Sequence, residues 1–418
     1  MVKQIQIPKN VYNNILNIQK ILFLFLPFSL FARFFSDLFL VLICIIFLVQ
    51  TIKFNLYKYY KNIFFIFFLL FWSYISLRSF FTLNIDSIIS SLGYIRFGIF
   101  PLAVWYLLDS DKKLLVKFFK FLFFTFVIYI FDGYFQSIFG IDIFLKKNVD
   151  PERITAFFGN EQILGSFLSR LFPLLAGLYF LVKKNNLNNN VVIIPFIISL
   201  SFLMFLTGER TAIFFFVFFY LIIIIFTKPF LIKKIVIFFT CVIFFLVASN
   251  ISIYKKTIES RIYWQTKQNA FKDGRLRFAT DVHEFHIITA YKIFIDNTLF
   301  GVGNKMFRKV CQEPPYIIYK GCTTHPHNIF FQFLAELGIF GTLFYLLALY
   351  YLFKNFITNF YNKKKNFFLH NYKTCLLSCF IISLFPLAPS GNFFNNWLSI
   401  IFYLPVGFYL HHFYDKKL

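Results

Sequence analysis

Hydrophobic runs long enough to cross a bilayer recur from Ile21 almost to the C-terminus, divided by short lysine-bearing tracts. A spanning helix needs about 20 mostly apolar residues, and no soluble core could hide so many such runs: 59% of the 418 residues are hydrophobic, only 14% are charged, and the mean hydropathy is +0.69. The expected fold class is all-α, a polytopic membrane protein with about 12 transmembrane helices and one large, partly helical periplasmic loop. The same numbers exclude collagen-like, disordered, disulfide-scaffold and ordinary cytosolic enzyme classes. The abundance of Phe, Ile, Lys, Asn and Tyr beside little Ala and Gly has the look of AT-rich coding, so the 70 phenylalanines carry no weight as a binding feature.

Candidate spans lie near 20–34, 36–52, 62–80, 88–108, 114–135, 162–182, 191–207, 210–227, 234–250, 328–353, 373–389 and 396–413. A net charge of +24 could suggest nucleic acid, but the lysines are scattered between apolar runs instead of forming one basic face. They read as topology signals, because short cytoplasmic loops carry the Lys and Arg excess. Lys3, Lys9 and Lys20 precede the first span; Lys53, Lys58 and Lys61 follow the second; Lys112, Lys113, Lys117 and Lys120 follow the fourth; Lys183 and Lys184 follow the sixth. Lys228, Lys233 and Lys234 follow the eighth, Lys354 and Lys363 to Lys365 the tenth, and Lys416 and Lys417 come last. Both termini are thus expected in the cytoplasm, with the first span acting as an uncleaved signal anchor.

The intervening loops face outward. The segment 251–327 is the longest of them, which divides the chain into helices over 1–250, a periplasmic loop over 251–327 and further helices over 328–418. Cys44, Cys241, Cys375 and Cys379 fall within spans. Cys311 and Cys322 share the large loop, where an oxidising periplasm permits a disulfide; two reduced thiols are the alternative, and zinc on these two with His325 and His327 lacks the usual CxxC spacing.

Ionisable groups in or beside hydrocarbon are costly and mark function by default. Arg96, Arg153, Glu161, Arg170, Glu209, Arg210 and Glu336 make up most of that set. Arg210 sits in the tight outer turn Thr207-Gly208-Glu209-Arg210-Thr211, where a guanidinium either grips a phosphate bidentately or pairs with Glu209 or a lipid headgroup as an anchor. His325-Pro326-His327-Asn328 marks the outer mouth of the tenth span, with Glu336 about two and a half turns further on. A neutral imidazole at that boundary is placed to take a proton from an alcohol; simple hydrogen bonding is the alternative. Arg261, Arg275, Arg277 and Arg308 add cations to the loop. A helix is expected over 281–294, amphipathic by the spacing of Ile287, Ile288, Tyr291 and Phe294. His283, Glu284 and His286 on it do not form HExxH, and Gly301-Val302-Gly303-Asn304 lacks the strand that a dinucleotide loop needs, so it reads as a turn.

These residues resemble the membrane enzymes of the O-antigen ligase and O-antigen polymerase group. His327-Asn328, nine residues, Gly338, two residues and Gly341 match the His-Asn motif that ends the large periplasmic loop of O-antigen ligases. Gly208-Glu209-Arg210-Thr211-Ala212 matches a second signature; Asp296 to Gly303, DNTLFGVG, looks like the NPxxGxG segment with Thr298 in place of proline; and Phe158-Gly159-Asn160-Glu161 followed by Gly165 resembles the motif before the sixth span. The specific similarity covers about 155–345.

The resemblance implies a metal-independent, cofactor-free glycosyltransferase of the bacterial inner membrane, with its site facing the periplasm. The donor would be an undecaprenyl-diphosphate-linked glycan and the acceptor lipid A core, as in a ligase, or a second lipid-linked glycan, as in a polymerase; membrane lipids surround it and no nucleic acid is involved. By position His327 would be the base and Arg210 would hold the diphosphate. Arg277 is preferred to Arg275 as the loop arginine that joins it, and Arg153, His325, Asn328 and Glu336 are further substrate-binding candidates. A transporter of lipid-linked glycans is the competing class, but transporters are commonly built from two related halves, and nothing in the first half matches the 251–327 loop.

Overall fold

The computed structural model describes residues 9–147, 150, 152–182, 192–229, 231–248, 250, 259, 263, 267, 280–361 and 366–414. Among these the secondary structure is helical, without a strand; a single bridge pairs Ile141 with Lys147. A helix stands at each of the expected apolar runs. Six stretches are long and apolar enough to cross a membrane: Arg33–Phe54, Ile63–Phe80, Ile85–Ser110, Leu114–Phe139, Leu164–Val182 and Ile329–Tyr361. Ile193–Leu206, Arg210–Phe226 and Lys234–Val247 are apolar but shorter. The chain is a multi-pass membrane protein.

Lipid accounts for the exposed apolar faces. Only 33% of the Ile63–Phe80 helix is buried within the protein, and Ile66, Leu70 and Leu77 are each more than half exposed. In water, such a face would cost roughly 25 cal/mol per Å² of apolar surface; in hydrocarbon it costs nothing.

Two compact units form. The first comprises 1–115, 279–353 and 384–418, the second 116–278 and 354–383. In the first, the Asn396–Tyr414 and Ile95–Ser110 helices lie against one another, and a side chain at Gly407 would sit 2.5 Å from Val104 Cβ. Phenylalanines fill the space around them: Phe71 stacks on Phe333 at 6.0 Å, and Phe394 meets Tyr94 edge-on at 5.4 Å. In the second unit, Leu164–Val182 packs on Phe367–Ser383, with Gly177 against Cys375 and Tyr372.

The long Ile329–Tyr361 helix is broken at Gly338, whose φ of 64° and ψ of −163° are non-helical. The preceding loop fills the break. Ile339 N donates to Thr298 O at 2.8 Å, Val302 N to Ala335 O at 3.0 Å and Gly303 N to Glu336 O at 2.7 Å. Gly301, also at φ 64°, would drive a Cβ to 2.4 Å from the Glu336 carbonyl carbon, and one at Gly338 would lie 2.5 Å from Leu299 O. Arg78 closes the arrangement by donating to Gly301 O at 2.7 Å. The DNTLFGVG segment and the paired glycines are therefore one device: it satisfies backbone groups freed by the kink, which a membrane-depth helix break requires.

Cys311 and Cys322 are joined as a disulfide, their Cα atoms 5.2 Å apart. Cys311 is fully buried, in a small core with Ala290, Ile293 and Phe307. The disulfide thereby ties the loop before the His-Asn motif to the Asp281–Asp296 helix.

Candidate functional site

Four imidazoles converge in the first unit. The ring of His327 lies 4.1 Å from that of His325, 5.1 Å from His286, on which it stacks, and 5.2 Å from His283. His283 and His286 are three apart on the Asp281–Asp296 helix and so share a face, directed at the loop that carries the other two. Thr280 caps that helix by accepting from His283 N.

His327 occupies the left-handed region at φ 53°, uncommon for a residue with a Cβ, and its carbonyl accepts from Ser390 N at 2.9 Å. Asn328 then starts the long helix. Its Oδ1 accepts from Phe331 N at 3.1 Å and its Nδ2 donates to Pro386 O at 2.8 Å, so both ends of the amide position the turn. Both ring nitrogens of His325 are engaged, Nδ1 with Thr324 Oγ1 at 2.9 Å and Nε2 with Ser390 O at 3.2 Å. His325 thus acts as a fixed wall beside His327.

Burial, then the neighbouring imidazoles His325, His283 and His286, push the His327 pKa down to about 3. His325 is lowered to about 4 by burial, and next by the charges of Arg308, His286 and His283. His286 is lowered by burial as well, and its Nδ1 has no hydrogen-bond partner. His325 and His327 are therefore neutral at physiological pH, with the lone pair of His327 available to take a proton. Among the described residues, no three His, Cys, Asp or Glu side chains are arranged to hold a metal ion.

Glu336 has no exposed surface. It accepts from Gln332 Nε2 at 2.9 Å and from Phe307 N at 3.3 Å, and Gln332 in turn reaches Asn392 and Phe393 N. These bonds make it part of the frame under the kink.

The second unit holds the arginine turn. Gly208 has φ 64°, Glu209 stands at the N-cap position of the Arg210–Phe226 helix without a side-chain capping bond to it, and Arg210 is its first residue, half-buried. The Glu209 carboxylate reaches across to the Leu164–Val182 helix, accepting from Gly165 N at 2.7 Å and Ser166 N at 3.1 Å. A side chain at Gly165 would strike Thr207 Oγ1 at 2.7 Å, so glycine is what lets the two helix starts meet. Burial raises the Glu209 carboxyl to about 7, against the pull of Arg153. Arg153 bonds to Gln162 Oε1 and donates to Thr207 O at 3.4 Å, and Arg170 bonds to Ser166 Oγ with its guanidinium 5.3 Å over Phe215. Arg153 and Arg170 thus act on one buried carboxylate at the N-termini of two helices, whose free N–H groups and dipoles favour negative charge.

Arg261, Arg275 and Arg277 lie outside the described residues. His283 and His286 do not form HExxH and are not among the site residues expected from the sequence. The signal available was their i, i+3 spacing on an amphipathic helix, although nothing local pointed that face at residues some 40 positions away.

No curated protein matches the chain. Residues 195–346 match the family model described as O-Antigen ligase, a stretch that includes the arginine turn, the histidine-bearing helix, the glycine-locked kink and the His-Asn run. Over that stretch the chain is similar to the O-antigen ligase family.

Proposed function

We propose that this protein transfers a glycan from undecaprenyl diphosphate to an acceptor sugar hydroxyl at the periplasmic face, as an O-antigen ligase acting on lipid A core. The observation that carries the reading is the imidazole cluster around His327, within a stretch matched to the O-antigen ligase family. In the reaction the acceptor oxygen attacks the anomeric carbon while its proton passes to His327 Nε2 or Nδ1. The bond from that carbon to the diphosphate breaks, and its electron pair leaves on the diphosphate, where Arg210 and a loop arginine, Arg277 or Arg275, hold the developing charge without a metal. Arg153 supports the arginine turn.

An imidazole with a pKa near 3 is a weak base in the empty protein. An approaching diphosphate, carrying negative charge, raises it toward the reaction pH. The base thus strengthens only when a donor is present, which protects the lipid-linked glycan from idle hydrolysis.

Replacing His327 by Ala should abolish surface polysaccharide while leaving the protein's abundance in the membrane intact; normal display would remove His327 from the chemistry. Purified protein should also transfer glycan in the presence of a chelator, and a strict metal requirement restored by zinc would make the four histidines a metal site instead. A polymerase would use the same donor and the same groups on a different acceptor.

A further inference from the structure

A cavity of about 400 Å³ opens in the first unit, lined by four cationic side chains, Arg96, Lys305, Arg308 and Lys309. One carboxylate, Asp86, shares that lining and pairs with Lys309 at 3.6 Å on the exposed side. Asp37 pairs with Arg96 at 3.2 Å, which leaves a surplus of two positive charges facing one space. Like charges so gathered repel one another. Burial, then Arg308 and Arg96, depress the Lys305 amine against the pull of Glu336 and Asp86.

The polar atoms are also incompletely satisfied. Nε of Arg96 and Nε of Arg308 are buried and have no hydrogen-bond partner, a cost that a protein seldom carries without a ligand to relieve it. Neutral groups that can bind hydroxyls, Ser90 and Asn396, complete the wall beside Tyr94. The volume suits one or two sugar rings.

Arg308 connects this cavity to the histidines. Its charge reaches His325, whose ring is 4.1 Å from that of His327. Arg210, proposed above for the donor diphosphate, belongs to the other unit.

We propose that the Arg96–Lys305–Arg308–Lys309 cavity is an acceptor subsite that binds an oxyanion, phosphate or carboxylate, carried on a sugar. This assignment of the occupant rests on the transferase reading, whereas the presence of an anionic-sugar site does not. The surplus charge selects the anion, and Ser90 and Asn396 select a polyol over a bare ion. Binding there would set the acceptor beside the imidazoles through Arg308, so acceptors lacking the anion would show a raised KM with little change in kcat.

The test is calorimetric titration of the full chain in phosphatidylcholine nanodiscs with glucose 6-phosphate, using glucose and inorganic phosphate as comparisons. Saturable binding is expected for glucose 6-phosphate, weaker binding for phosphate, and none for glucose. Arg308→Gln and Lys309→Gln should each weaken glucose 6-phosphate by about tenfold, the loss of one charge-assisted contact; Lys113→Gln, at an exposed lysine elsewhere, should leave it unchanged. Lys309 is exposed enough that its variant tests the site even if Arg308→Gln does not fold. Absence of saturable binding, or equal affinity in Lys309→Gln, overturns the site. A comparable loss of glucose 6-phosphate affinity on moving the wild-type chain into phosphatidylglycerol nanodiscs would show that a lipid headgroup is the occupant and overturn the acceptor assignment. Because the titration needs no turnover, its outcome is independent of whether His327→Ala abolishes display.

Discussion

An ordinary histidine titrates near 6.5, so a base of that kind loses activity as the pH falls through 6. His327 is displaced to about 3. For the free enzyme, kcat/KM should therefore stay flat from pH 7 down to about 5. The bound donor raises the same group, so the acid limb of kcat should lie at higher pH than that of kcat/KM; coincident limbs near 6.5 would show an unperturbed imidazole. Stability carries the matching sign. Between the folded and unfolded values the unfolded chain binds more protons, so the contribution of His327 and His325 is complete above about 6.5 and lost as the pH falls toward 3. Arg210→Lys keeps the charge and removes the bidentate fork, and should cost roughly tenfold to a hundredfold in kcat/KM. Wild-type kinetics there would reduce Arg210 to a membrane anchor. At this scale the sequence was legible where a residue sat in a recognisable run, as His327 did beside Asn328. It was not legible for His286, whose role depends on a helix face meeting a distant loop.

Among elements, the apolar runs marked where the long helices stand, because hydrocarbon demands continuous apolar runs. The kink at Gly338 left no hydropathy trace, since a glycine inside an apolar stretch changes the average very little. Its consequence is nevertheless large. The φ and ψ of Gly338 fall in a region open essentially to glycine alone, and the Leu299 backbone occupies the place of a Cβ. Gly338→Ala should destabilise the protein by about 3 kcal/mol or more, read as a lowered unfolding temperature in detergent; an unchanged midpoint would mean that the loop does not lock into the break. The Cys311–Cys322 crosslink closes a short loop ahead of His325, and Cys322→Ser should cost about 2–4 kcal/mol. A reductant should lower the wild-type unfolding temperature by a similar amount while leaving the variant's unchanged.

On the scale of the molecule, the histidines and the arginine turn belong to different compact units, each assembled from segments separated in sequence. Hydropathy could not show this grouping, because it orders helices along the chain and carries no information about which of them pack together. If His327 and Arg210 serve one transfer, either substitution removes most of the same transition-state stabilisation, and their effects cannot add. With His327→Ala and Arg210→Ala each lowering polysaccharide transfer by a factor f, the double variant should lie close to the single ones, far above the product of the two losses. Additive losses would mean separate steps, such as donor retention at one unit and chemistry at the other. The same strains distinguish the acceptors. When the gene is deleted, a lipopolysaccharide gel that loses its whole ladder while lipid-linked long chains accumulate identifies a ligase. A core bearing a single repeat identifies a polymerase, because chains then reach the core without having been lengthened. The double variant should reproduce whichever pattern the deletion gives, since the acceptor decides the product while the histidine and the arginine decide only whether transfer occurs.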